Sequence, residues 1–186
     1  VKKEFDLMIS IVQSSKVLSL SANTGDSDTD PLTENLMWSH YADGLRGFCL
    51  VFDALTLQRD LSKSTQKSMR AIKIKYQNKP NLLSLSDFAN SKHMLQVNKD
   101  PYLEEVTSTI STKSPAWAYE NEVRIIAATE TNLHSYKPET LLSVVIGDKM
   151  PPDQKTMLVH LAKRVNPNID IKEARLQKNS FSLEIA

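Results

Sequence analysis

Cysteine and glycine are scarce in this chain, and neither sign of charge is in excess; each shortage removes a class of function. One cysteine, Cys49, in 186 residues excludes an internal disulfide and any cysteine-cluster metal centre, and it fits a reducing, cytoplasmic setting. Four glycines are too few and too scattered for a phosphate-cradling loop or a dinucleotide fingerprint, both of which need several at fixed spacing. No Gly-x-Ser-x-Gly elbow is present, which argues against serine hydrolysis. The histidines His40, His93, His134 and His160 lack ligand-like spacing, so no metal is expected. Lys plus Arg total 23 against 22 for Asp plus Glu, a balance that offers no general field for nucleic acid or an anionic membrane. No apolar run approaches the roughly 20 residues that span a bilayer. The opening Val1-Lys2-Lys3-Glu4-Phe5-Asp6 lacks the charged-then-apolar layout of a signal peptide. It also lacks an initiator methionine, from which we expect a portion of something longer.

What remains has the size of one domain, residues 1–186, with enough apolar sequence for a core. Periodicity predicts a helix over 3–15 with Phe5, Met8, Ile9 and Val12 inward, then a strand Val17 to Ser21 with Ser19 and Ser21 on a polar face and Leu18 and Leu20 on a buried one. Residues 22–35 read as an exposed loop, followed by a short helix from about Thr33 to Asp43 that Gly44 stops. Phe48-Cys49-Leu50-Val51-Phe52 is apolar on both faces and reads as a central strand. Asp53 caps a helix from Ala54, and Arg70 to Tyr76 alternates as a half-buried strand. Helices are expected around Leu85, Phe88, Met94 and Leu95, and again from Asp100-Pro101, with Tyr102, Leu103, Val106 and Ile110 inward. Strands follow at Glu120 to Ala127 and Leu141 to Ile146. A helix from Pro151-Pro152-Asp153 carries a stripe of Leu158, Leu161, Ala162 and Val165. Strands at Ile169 to Ile171 and Phe181 to Ile185 end the chain. The class is α+β, a mixed, mostly antiparallel sheet with flanking helices, in a single domain.

Chemistry gathers in two segments. In Glu120-Asn121-Glu122-Val123-Arg124, a strand would turn Glu120, Glu122 and Arg124 to one face. Paired carboxylates shift each other's pKa and a guanidinium counters the shift, which suits proton transfer or the stabilisation of a developing cation. A plain surface face with a cross-strand ion pair is the competing reading. In Trp38-Ser39-His40-Tyr41, helical spacing stacks Met37 on Tyr41 and Leu36 on His40, so some of these side chains must be core. The functional alternative gives His40 or Ser39 a substrate contact. Cys49 lies in an apolar strand, where a buried thiol is inert.

Val17-Leu18-Ser19-Leu20-Ser21, Leu36 through Asp43, Gly47 through Asp53, Trp117-Ala118-Tyr119-Glu120-Asn121-Glu122-Val123-Arg124 and the tail Val144-Val145-Ile146-Gly147 together resemble the bacterial domain-of-unknown-function family 2971, over nearly the whole chain. Two departures stand out. Where the family often has a histidine between Asp43 and Gly47, this chain has Gly44-Leu45-Arg46, so no role for that histidine carries over. The family's usual opening stretch, with a basic-aromatic strand and an Asn-Asp-Pro motif, is not in this sequence. If that stretch helps to build the site, these residues alone would be inactive.

A second resemblance suggests a reaction. Glu120-x-Glu122 behind aromatic residues, with the Ser19-x-Ser21 strand, looks like the layout of ADP-ribosyltransferases, in which a strand glutamate stabilises a ribosyl cation. The resemblance implies a NAD-consuming enzyme serving phage defence or a toxin system. Glu122 would stabilise the cation, Glu120 would activate the acceptor, and His40 would join the catalytic set. Ser19 and Ser21 would position NAD, Tyr41 or Tyr119 would stack on nicotinamide, and Arg124 would hold the acids in register. The alternative is a non-catalytic binding or interaction module in which Trp38, Tyr41, Trp117 and Tyr119 are core and Glu122 with Arg124 is a buried pair. Substrate, acceptor and oligomeric state are not written in the sequence.

Overall fold

The computed structural model describes residues 2–23, 30–65, 69–82, 84–86, 89, 107–127, 129 and 131–186. The chain forms two compact units, each assembled from segments distant in sequence. The first comprises Val1–Leu20, Lys67–Ala118 and Glu122–Leu133; the second comprises Ser21–Gln66, Tyr119–Asn121 and His134–Ala186. Helices and mixed sheets make the class α+β, as the patterning predicts.

In the first unit, helix α1 (Lys2–Ser14) leads into strand β1 (Lys16–Ser21). A three-stranded sheet runs in the order β1, β6 (Glu122–Ala127), β3 (Arg70–Lys73), with β3 and β6 antiparallel so that Ile72 faces Arg124. The strand predicted across Arg70 to Tyr76 is broken at Ile74, and its second part, β4 (Lys75–Tyr76), pairs in parallel with β5 (Thr112–Lys113). Ile74 is 2% exposed and its N–H donates to the Glu122 carbonyl at 2.9 Å, in register with the β3–β6 ladder, and only beyond it does the chain change partners. Leu18, expected inside, is 42% exposed. Phe88, Met94 and Leu95, and most of the helix expected from Asp100-Pro101, lie outside the described residues.

In the second unit, a four-stranded sheet has the order β2 (Phe48–Phe52), β7 (Leu141–Gly147), β8 (Asp170–Leu176), β9 (Leu183–Ile185). The central position expected of Phe48–Phe52 belongs to β7 instead. Val144, Val145 and Ile146 are at most 1% exposed, whereas β2 sits at the edge with Phe48 45% and Leu50 39% exposed. Both strands are apolar on both faces, and the sheet order that decides between them depends on pairings distant in sequence. One face of β7, through Val145, packs with Trp38, Ala42, Leu45, Ala174 and Leu183. The other, through Val144 and Ile146, packs with Leu158, Val159 and Ala162 of helix α4 (Pro152–Val165). Leu161 and Val165, predicted inward on α4, are 48% and 61% exposed. The stripe is rotated by a residue, with Val159 taking the inner place. The crossover β7–α4–β8 explains why β7 and β8 run parallel in an otherwise antiparallel sheet.

Helix α2 (Asn35–Tyr41) is shorter than predicted. Glu34 caps its start, its carboxylate accepting the Leu36 N–H at 3.2 Å. Its end is a run of left-handed residues, Asp43, Gly44 and Leu45, with the Gly44 N–H returning to the Trp38 carbonyl at 3.0 Å. That turn drives Leu45 into the core at 5% exposure and lays its carbonyl against Gly147, where any Cβ would collide. Helix α3 (Ala54–Thr65) is capped as expected, with Asp53 accepting the Thr56 N–H at 2.7 Å. Its buried Asp60 accepts the Thr140 hydroxyl at 2.6 Å and the Lys137 N–H at 3.1 Å. Those bonds hold the Asp60 carboxyl below its ordinary range.

Candidate functional site

Each unit carries a cluster centred on a glutamate. In the first, β6 buries Ile125 and Ala127 on one face. Alternation therefore puts Glu122 and Arg124 together on the other. Glu122 is 4% exposed, and its Oε1 accepts from Arg124 Nε at 2.7 Å. Its Oε2 accepts from Arg124 Nη2 and from Lys113 Nζ, each at 3.2 Å. Ser19 on β1 adds a side-chain hydrogen bond. The backbone is fixed as well, the Glu122 N–H donating to the Tyr76 hydroxyl at 2.8 Å. Arg124 is in turn held by Nη1 donating to the Ile110 carbonyl at 2.6 Å. Burial pushes the Glu122 carboxyl up, but the hydrogen bonds from Arg124, Ser19 and Lys113 and the Arg124 charge outweigh it and bring the pKa to about 2. Such a group is ionised throughout the physiological range. It is suited to stabilising positive charge and unsuited to donating a proton.

Lys113 also lies over the Trp117 ring, 4.9 Å from its centroid, a cation–π contact. Trp117 is 37% exposed, so it is not the core aromatic that the interaction-module reading requires.

The second cluster joins two consecutive residues of α2 to two consecutive residues of the 119–121 segment. His40 Nδ1 and the Tyr119 hydroxyl are 2.7 Å apart, with their rings edge-on at 5.8 Å. The Tyr41 hydroxyl donates to Glu120 Oε1 at 2.6 Å. Glu120 is 3% exposed while Tyr41 is 61% exposed, so a solvent-facing phenol is tied to an enclosed carboxylate. Trp38 alone of the expected core aromatics is buried, at 4%, with its indole N–H donating to the Leu32 carbonyl at 2.7 Å. Ser39 uses its hydroxyl on the Asn35 carbonyl within the helix.

The predicted strand face of Glu120, Glu122 and Arg124 is therefore only two-thirds realised. Glu120 closes a 3-10 helix, Pro115–Glu120, and Asn121 adopts a left-handed φ of 45°. The strand begins at Glu122, so alternation does not reach Glu120. Asn tolerates this conformation better than most residues, and that was the signal available in the sequence. Ser19 hydrogen-bonds Glu122, whereas the Ser21 hydroxyl contacts Met37 Sδ at 4.0 Å. Pattern reading missed Lys113 and Tyr76 as partners of Glu122, for nothing local marks a residue that is brought in by strand pairing. Cys49 is partly buried, and burial first and Asp30 second push its thiol pKa up, consistent with an inert thiol.

The fold and these clusters define an α+β protein in which Asp60, Glu120 and Glu122 are the buried carboxylates among the described residues. No helix among the described residues is long and apolar enough to cross a membrane, and they contain no group of His, Cys, Asp and Glu able to hold a metal ion. Residues 37–125 match the family described as Protein of unknown function (DUF2971). The match is shorter than the resemblance traced above, running from α2 into β6, and it takes in both polar-aromatic motifs. No curated protein and no solved structure matches the chain.

Proposed function

We propose that the chain is an ADP-ribosyltransferase-like enzyme that consumes NAD, with Glu122 stabilising the ribosyl cation as the bond to nicotinamide breaks. The electron pair of that bond departs with nicotinamide, and positive charge grows on the ribose, where a fixed anion lowers the barrier. The observation that supports the reading is a buried, ionised Glu122 that takes a hydrogen bond from Ser19 of the neighbouring strand β1. Lys113 holds Glu122 at 3.2 Å and is itself 24% exposed. A dinucleotide's phosphates would draw it away and leave Oε2 with the Arg124 Nη2 donor and a lone pair for the ribose. A place in phage defence or a toxin system belongs to the same proposal.

A second reading is favoured by one observation. Both oxygens of Glu122 are taken by cations, as in a structural ion cluster of a binding or interaction module. Incubation of the full chain with NAD labelled in the adenosine moiety separates the two. Release of nicotinamide or transfer of label by the native protein, lost in Glu122→Gln, supports the enzyme. Equal turnover in both, or none in either with candidate acceptors present, leaves the structural reading.

A further inference from the structure

Strand β2 is an open edge of the second unit's sheet, and β7 is its one ladder partner among the described residues. The Gly147 N–H donates to the Gly47 carbonyl and the Asp53 N–H to the Thr140 carbonyl, each at 3.0 Å. Residues 47 and 53 therefore turn their backbone groups toward β7, and Cys49 and Val51 do so with them. Alternation sends the N–H and C=O groups of Phe48, Leu50 and Phe52 to the open side. There the Leu50 carbonyl meets the Cys49 thiol at 3.7 Å, a weak contact. Soluble proteins guard such an edge with lysine, proline or a bulge in the edge strand itself. Phe48–Phe52 has none of these, since the register shift beside Val51 takes its extra residue, Leu142, from β7. Its side chains are uncovered as well, Phe48 at 45% and Leu50 at 39% exposure.

Two features select what covers this edge. The strand is nearly palindromic about Leu50, with Phe48 and Phe52 at its ends and Cys49 and Val51 between. Its flanks carry opposite charge, exposed Arg46 before it and exposed Asp53 after it. Arg46 Nη1 donates to the Asp43 carbonyl at 3.1 Å and Asp53 accepts the Thr56 N–H at 2.7 Å, so each keeps further hydrogen-bonding groups. An antiparallel copy of the strand brings each Arg46 toward the partner's Asp53, whereas a parallel copy sets like charge on like. We propose that β2 pairs antiparallel with β2 of a second copy of this chain, about a two-fold axis at Leu50, joining two four-stranded sheets into one. Phe48 then lies opposite the partner's Phe52, Cys49 opposite the partner's Val51, and Leu50 opposite the partner's Leu50. The outward-facing residues exchange backbone hydrogen bonds across the axis, and Phe48 and Leu50 gain apolar neighbours on their own face. A self-complementary contact of this kind closes with two copies and leaves no open edge at β2. The pairing is short, at the low end of interface size, so a dissociation constant of roughly 1–100 μM is expected. It involves the second unit alone and is independent of what Glu122 does.

Sedimentation equilibrium of the full chain between about 1 and 500 μM measures the association, and a reversible monomer–dimer equilibrium is the expected result. Leu50→Pro deletes an outward N–H without touching a bond to β7, and edge strands accept proline. It should raise the dissociation constant at least about tenfold. Leu50→Lys, which leaves the backbone unchanged, should do the same, and circular dichroism reports whether each variant keeps the fold. Cysteines introduced into a Cys49→Ser chain fix the register. Leu50→Cys places two thiols across the axis with Cα atoms about 5.5 Å apart, within disulfide reach. Phe48→Cys leaves its two copies about 14 Å apart along the strands. Oxidation should therefore link the first variant into dimers and not the second. A chain that stays monomeric throughout, a dimer indifferent to both Leu50→Pro and Leu50→Lys, or disulfides that form equally at positions 48 and 50 overturns the proposal.

Discussion

Glu120 and Glu122 stand two residues apart, and both are buried, at 3% and 4% exposure, yet the first accepts a phenol and the second is clasped by two cations. Burial alone would treat them alike. The difference comes from Asn121, whose left-handed φ ends the 3-10 helix before the strand begins and assigns the two acids to different units. Among its cations the Glu122 carboxylate is locked in its charged form. The comparison can be broken most forcefully at the cations. Arg124→Met removes two of the hydrogen bonds to Glu122 and its main countercharge. Stranding a buried charge costs about 3–5 kcal/mol. With Lys113 still in place, we expect about 3 kcal/mol in urea unfolding, and a loss under about 1 kcal/mol would mean that Lys113 and Ser19 suffice.

The next effect is a pH dependence at Glu122. Glu122 has a folded pKa of about 2 against an ordinary 4.5. Because the folded value lies below the unfolded one, the stabilisation is complete above about pH 4.5 and is lost as pH falls toward 2. At roughly 1.4 kcal/mol per unit, and discounted because Arg124 and Lys113 are partly exposed, the loss amounts to about 2 kcal/mol. Glu122→Gln should flatten that acid limb while melting earlier at neutral pH. It leaves two cations facing an amide, so melting drops under either functional reading, and NAD turnover becomes the measurement that discriminates. An acid limb that survives in Glu122→Gln would place the linkage on other carboxylates.

A smaller change tests the other acid. Tyr41→Phe deletes the hydroxyl that reaches Glu120 at 2.6 Å. Hydrogen bonds to charged groups contribute about 1.5–3 kcal/mol. Tyr41 is 61% exposed and water can replace it in part, so about 1 kcal/mol is expected in the same unfolding assay.

Period-two and helical patterns located most elements of both units, because burial on one side leaves its mark on spacing. They found the Glu122–Arg124 face and the Asp53 and Gly44 helix signals. They failed wherever long-range pairing decides. Phe48–Phe52 and Leu141–Gly147 are equally apolar on both faces, and only the pairing with Asp170–Leu176 makes the second central. Lys113 reaches Glu122 through a two-residue strand that no local pattern announces. Glu120, the last residue of the 3-10 helix Pro115–Glu120, has the pattern of a strand's first residue, since Glu120-x-Glu122 alternates correctly on paper and only the backbone angle at Asn121 says otherwise.

The smallest predicted effect probes whether the second cluster acts as a unit. His40 and Tyr119 share a 2.7 Å hydrogen bond, and His40 is exposed. A neutral bond in such a setting contributes about 0.5–1 kcal/mol, so Tyr119→Phe should be nearly silent alone. Its value lies in a double-mutant cycle with Tyr41→Phe. Independent sites add to within about 0.5 kcal/mol. Because Tyr119 and Glu120 are consecutive and His40 and Tyr41 are consecutive, a strain released at one pair must pass through shared backbone to the other. A coupling above about 0.5 kcal/mol would mark one cooperative cluster around Glu120. Strict additivity would reduce it to two separate hydrogen bonds and set it further apart from the interlocked cations at Glu122.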